Sequence, residues 1–181
     1  MTDTTVSATT TVGRKAIDHT PDEDEFQMTL LPETKIIFMG ENIGIEPLGV
    51  NIIMHNDTPW MQAFKVNTCT QVKCTANYMF TIRPSNGVIA SNEKKNIRVT
   101  FKWKKVPRDD VHFISFYHVH VENSICAKTP REMLETYRPE GVKRIHCQFK
   151  YANGLTVNEP DPIPTASVMI NPLTGAPVNK K

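Results

Sequence analysis

The chain has 181 residues, 39% hydrophobic and 22% charged, with a formal net charge of +2. That size and balance fit one soluble domain with tails. No apolar stretch approaches the ~20 residues of a membrane helix, and the polar, Thr-rich start has no apolar leader segment, so the expectation is a cytosolic protein without membrane insertion.

The charge is unevenly placed. Residues 1–27 carry six acids against Arg14 and Lys15, a balance of −4. Residues 28–151 carry seventeen Lys and Arg against eleven Asp and Glu, a balance of +6. A basic domain with an acidic arm points to charge-steered contact with partners or with itself. The lysines fall in no nucleic-acid motif, so no nucleic-acid partner is expected. Cys69, Cys74, Cys126 and Cys147 show no CxxC spacing and are expected to be free thiols in a reducing compartment.

In chain order, residues 1–26 are rich in Thr, Ser, Asp and Glu without periodicity, which predicts a disordered acidic arm. Strand signals follow at 28–31, 34–39, 48–55, 60–68, 70–83, 96–104, 111–121 and 143–151. Turn chemistry separates them at Gly40-Glu41-Asn42, Asn56-Asp57-Thr58-Pro59 and Pro107-Arg108-Asp109-Asp110. At Arg83-Pro84-Ser85-Asn86-Gly87, proline fixes one φ and Asn-Gly offers the positive φ of a tight turn. One helix is predicted at 130–137. Thr129 is its N-cap, Pro130 its first position and Glu132 completes a capping box. Met133, Leu134 and Tyr137 would share its apolar face, packed over an edge of the domain. Prolines 160, 162, 164, 172 and 177 predict a disordered tail from residue 153 to residue 181. Short strands with one helix before the last strand predict an all-β, immunoglobulin-like β-sandwich over residues 27–152.

Catalytic and cofactor motifs are missing: there is no GxSxG, no Gly-rich phosphate loop, no HExxH. His118 and His120 stand two apart on a predicted strand and share a face. That spacing suits a metal, but nothing in the sequence places a third ligand, and a solvent-facing pair beside Phe116 and Tyr117 explains them as well. His146 and Cys147 are strand neighbours and point to opposite faces. The expectation is a protein that is not an enzyme and binds no metal or cofactor.

Three stretches resemble the major sperm protein (MSP) domain family. The first is Val50-Asn51-Ile52-Ile53-Met54-His55-Asn56, followed by Phe64-Lys65-Val66. The second is Val72-Lys73-Cys74-Thr75-Ala76, then Tyr78 to Arg83-Pro84 and Gly87. The third is Ile97-Arg98-Val99-Thr100-Phe101, and His112 to His118 also looks like a late strand of nematode MSP-like proteins. The span from Phe64 to Arg83 is about six residues longer than the family pattern, as if Lys65–Thr70 were duplicated in Gln71–Ala76. An even insertion keeps the same side chains inward.

The resemblance implies an immunoglobulin-like fold and two functions. One is a cytoskeletal protein of the MSP motility system of amoeboid sperm, where MSP forms filaments without nucleotide; an accessory protein would bind or regulate those filaments or other MSP-domain proteins. The other is a soluble adaptor like the VAP-type domains, which hold acidic peptides with a Phe-Phe core (the FFAT motif). Lys65, Thr68, Lys73, Cys74 and Thr75 would sit on the peptide-binding face. Lys102 and Lys104 alternate with Phe101 and Trp103 and would share one face, either as a patch for an acidic partner or as a guard against edge pairing. Trp60 and Met61 are candidates for exposed contacts or for the core. The tract Pro21-Asp22-Glu23-Asp24-Glu25-Phe26 resembles the start of an FFAT peptide, and it either docks on a second copy or stays a solvated tail.

Overall fold

The structure is a computed structural model and describes residues 19–70, 78–121 and 129–157. Its elements run β1 (Thr29–Leu31), β2 (Lys35–Met39), β3 (Leu48–His55), β4 (Gln62–Thr70), β5 (Phe80–Arg83), β6 (Asn86–Ile89), β7 (Lys94–Phe101), β8 (His112–His120), α1 (Pro130–Thr136) and β9 (Gly141–Lys150). Two sheets face each other, one in the order β1-β3-β7-β5 and the other β2-β9-β8-β4-β6. All pairings are antiparallel except β2 with β9, which is parallel. This is the immunoglobulin-like sandwich that the strand pattern predicts.

The inner faces are built by alternation. In β2, Ile36 and Phe38 are buried while Lys35, Ile37 and Met39 are exposed. In β7, Ile97, Val99 and Phe101 are buried between exposed Asn96 and Arg98. Four phenylalanines, Phe38, Phe80, Phe101 and Phe149, fill the centre with ring centroids 4.9–6.5 Å apart. Each fully buried side chain of this size contributes roughly 1.5–3 kcal/mol of burial free energy.

The helix forms as its caps dictate. Thr129 Oγ1 accepts the Glu132 N–H at 3.3 Å, and Glu132 Oε2 accepts the Thr129 N–H at 2.7 Å. Met133 is buried against Ala63 and Val119, with Leu134 packed beside it. Ala63 and Val119 point away from the central core, so α1 covers the outer face of the five-stranded sheet at its β6 edge. Tyr137 caps the helix and stays 37% exposed.

Three predicted elements differ. The run 70–83 is not one strand: β4 ends at Thr70, and β5 starts at Phe80 in the opposite sheet. Asn86-Gly87 is not a positive-φ turn but the start of β6, paired with Lys65 and Phe64. Glycine is needed at 87 because a Cβ would stand 2.9 Å from the Phe64 ring. The chain changes sheet at Pro84, and the Arg83–Pro84 peptide is cis, as is Leu31–Pro32, where β1 gives way to β2 in the other sheet. Finally, β7 ends at Phe101. The Lys102 N–H still bonds Met79 O in the β5–β7 register, but Lys102, Trp103 and Lys104 are all exposed, so no strand alternation sorts them onto two faces.

Candidate partner-binding face

The outer face of the five-stranded sheet combines cationic, polar and aromatic side chains. Register places them in rows across β4, β8 and β9: Lys65, Tyr117 and Val142, then Asn67, Ser115 and Arg144, then Phe113 and His146. Ser115 is fully buried, and its Oγ has no hydrogen-bond partner among the described residues. The Arg144 guanidinium lies 5.9 Å from the centre of the Phe113 ring, and Phe113 meets the His146 ring edge-on at 5.8 Å.

Part of the acidic arm already lies on this face. Both terminal guanidinium nitrogens of Arg144, Nη1 and Nη2, donate to the Glu23 carboxylate, at 2.6 Å each. Arg144 therefore holds the Glu23 carboxyl down at about 2, helped by the Thr20 N–H. A planar two-point pair of this kind is the strong form of an ion pair. The Val142 N–H donates to Asp24 O at 3.1 Å, Glu25 bridges Val142 in parallel, and Arg138 donates to Asp22 O. Glu25 thereby lies alongside β9 in the same parallel sense as β2. Phe26 packs edge-on against Phe116 and His118, at 6.5 and 5.0 Å.

The sequence predicts a free arm through residue 26, or one docked on a second copy. In the structure the described part, residues 19–26, docks on its own sandwich, because Arg144, Val142 and His118 offer partners that a solvated tail would lack. An open cleft of about 550 Å³ between the arm and Glu140 is lined by Asp24, Glu25, Phe26, Gln27 and Glu140.

The predicted site residues scatter. Lys65 is half-buried on the outer face beside Tyr117. Thr68 is 4% exposed and shares the inward face of β4 with Phe64 and Val66. Lys73, Cys74 and Thr75 lie outside the described residues. Lys102 and Lys104 are exposed beyond β7, a strand of the other sheet, near an exposed Tyr78–Trp103 pair with centroids 4.9 Å apart. Trp60 and Met61 are exposed, at 63% and 44%. Sequence reasoning missed Arg144, Asn67 and Ser115, although the alternation of Arg144, Ile145, His146 and Cys147 on β9 was enough to turn Arg144 outward.

The histidines are resolved by their neighbours. His118 is fully buried rather than on a solvent face, and burial lowers it to about 4. His120 Nδ1 pairs with Glu140 Oε1 at 2.7 Å. Among the described residues no three His, Cys, Asp or Glu side chains are grouped to hold a metal ion. His146 faces outward with Nδ1 3.0 Å from Asp110 O, while Cys147 is buried, free and has its thiol pushed up by burial.

The sequence model of the MSP (major sperm protein) domain matches residues 27–135. The chain belongs to the MSP-domain family. The match ends inside α1, whereas the sandwich of this MSP domain continues through β9. Among solved structures, SSP-19 of Caenorhabditis elegans, an MSP-domain protein like family member, is 12% identical with a TM-score of 0.51, over 67% of this chain and 98% of that one. WR4, a C. elegans MSP family member, is 12% identical with a TM-score of 0.50, over 67% and 95%. The Salmonella enterica SafA pilin in complex with the SafB chaperone is 16% identical with a TM-score of 0.50, over 70% and 55%. These likenesses show the fold. No curated protein matches the chain.

Proposed function

We propose that this MSP-domain protein works without enzymatic chemistry, as a cytoplasmic, cytoskeletal protein that binds MSP filaments or other MSP-domain proteins in the motility system of amoeboid sperm. The family match over residues 27–135 carries this reading, and the outer face around Arg144 supplies the contact. Mixing the full-length protein with MSP under filament-forming conditions tests it. The expected result is co-sedimentation with filaments and a changed growth rate, whose sign tells promotion from restraint. A folded protein that stays in the supernatant and leaves growth unchanged rules the reading out.

A second reading is a soluble adaptor for acidic, FFAT-like peptides, as in VAP-type domains. The observation that favours it is the bidentate hold of Arg144 on Glu23, an acidic segment seated on this face within the same chain. In that case an acidic Phe-Phe peptide binds the full-length protein, and Arg144→Gln weakens it about tenfold. Equal binding by the variant excludes this face as the peptide site.

A further inference from the structure

The four-stranded sheet has an exposed outer face with its own chemistry. Leu31 of β1 stands opposite Ile53 of β3, and these apolar side chains are 63% and 40% exposed. Two residues along β3, Asn51 stands opposite Arg98 of β7, and Arg98 stands opposite Arg83 of β5. Ile53 is itself paired with Asn96, and two residues before Asn96 lies exposed Lys94. Along β3 the apolar pair thus lies between two cations, about 7 Å from the level of Lys94 and about 14 Å from Gly49, where the Arg98 guanidinium lies.

Two details suit this face to an anionic partner. Like charges directly opposite each other destabilise a bare sheet, and among the described residues neither Arg83 nor Arg98 has a carboxylate partner. The Arg98 guanidinium lies over Gly49, where a Cβ would collide with Nη2 and stand 2.8 Å from Nε, and it donates one N–H to Asn51 Oδ1 at 3.3 Å. Glycine at 49 leaves that guanidinium room to lie over the sheet. The carboxylates at the rim are already engaged. Asp57 holds His55 at 2.6 Å and the Thr29 N–H at 3.0 Å, and Glu93 holds the Ala90 N–H at 3.0 Å.

We propose that this face is a docking surface separate from the Arg144 face, and that it takes an extended acidic segment of another protein with one apolar side chain between two carboxylates. In an extended chain, side chains two apart share a face about 7 Å apart, so four residues span from the Arg98 guanidinium over Gly49 to Ile53 and two more reach the level of Lys94. An acid-x-x-x-apolar-x-acid pattern places one carboxylate at the Arg98 guanidinium, the apolar group at Leu31 and Ile53, and the other carboxylate at Lys94. A nucleic acid would satisfy the cations but set phosphate against the apolar row. A second copy meeting this face with its own would oppose cation to cation. Docking surfaces on both sheets let one sandwich bridge two partners.

The test is a titration of the ¹⁵N-labelled full-length protein with a peptide carrying the Glu-Ser-Ser-Ser-Ile-Ser-Glu pattern. Controls are the same peptide with serine for both acids and a single-stranded DNA oligonucleotide. The expected result is saturable amide shifts centred on Asn51–Ile53 and Asn96–Arg98, weakened at high salt and lost with the all-serine peptide. Arg98→Gln is expected to cut affinity about tenfold with the unfolding midpoint unchanged, and Ile53→Ser about fivefold with a midpoint lowered modestly but the fold kept. Shifts confined to the Arg144 face overturn the proposal and leave the proposed function standing. Flat shifts, or DNA binding that Ile53→Ser does not weaken, also overturn it.

Discussion

The imidazole of His118 accepts the Gln27 N–H at Nε2, 3.2 Å, which leaves its proton on Nδ1 to donate to Gln62 Oε1 at 3.0 Å. Gln62 Nε2 donates to Thr58 Oγ1, Thr58 Oγ1 donates to Asn56 Oδ1, and Asn56 Nδ2 holds the carbonyls of Trp60, Ile89 and Ala90. This buried polar chain ties the arm to the turn before β4. It works only with a neutral ring, because a second proton would sit where the Gln27 N–H donates. Gly141 makes the space: a Cβ there would collide with Nε2 and stand 2.9 Å from Glu25 O. Burial lowers His118 from 6.5 to about 4, so between those values the unfolded chain takes up a proton that the folded one refuses. Stability is therefore full above pH 6.5 and falls as the pH drops toward 4. Denaturant unfolding at pH 7 and pH 5 is expected to differ by about 2 kcal/mol from this group, with the His118 ring resonance titrating near 4; a midpoint near 6.5 would mean a solvated ring and no such contribution. The sequence shows that His118 and His120 share a face but not which one. β8 is buried on both sides near its end, at Phe116, His118 and Val119, because the arm and α1 cover what alternation alone would call solvent.

Strand β6 shows how one dipeptide serves two kinds of geometry. Asn-Gly suits a tight turn by its local chemistry, yet here Gly87 is an extended residue beneath a phenylalanine. The two roles predict different mutant behaviour. Gly87→Ala drives a methyl into the Phe64 ring and is expected to cost about 1–2 kcal/mol. Phe64→Leu frees that space, so the double variant is expected to be more stable than the sum of the single losses by at least ~0.5 kcal/mol. Strictly additive losses in urea unfolding would place the strain in the backbone and restore the turn reading. Elsewhere the elements were legible where one local signal sufficed. Alternation over Leu48–His55 and the capping box at Thr129 and Glu132 predict β3 and α1 within a residue. The change of sheet between β4 and β5 was not legible, because both are β-rich runs and a partner strand is a tertiary choice. Lys102 and Lys104 were drawn into β7 by the same alternation, which no local residue stops.

At the scale of the molecule, charge segregation in the sequence becomes a contact within the chain. The −4 balance of residues 1–27 faces a domain of +6, and the structure uses Glu23 to neutralise Arg144 on the outer sheet face. Composition made the opposite charges legible. It did not show where they meet, because that depends on Phe26, whose aromatic contacts with Phe116 and His118 fix the arm beside β9. The arm is therefore expected to contribute to folding. Removing residues 1–26 takes away the half-buried Phe26 ring, the Asp24 acceptor of the Val142 N–H and the Glu23–Arg144 pair, and is expected to lower stability by about 2 kcal/mol. Glu23→Gln alone is expected to cost about 1 kcal/mol, because the amide oxygen still accepts one Arg144 N–H while the charge and the second acceptor are lost. Hydrogen exchange locates the effect: in the shortened chain the Val142 amide loses protection while Ile97 and Val99 at the centre of β7 keep theirs. An unchanged unfolding midpoint with Val142 still protected would mean that the arm rides on the sandwich without stabilising it. The Arg144 face would then be open to a partner in solution at no cost in stability.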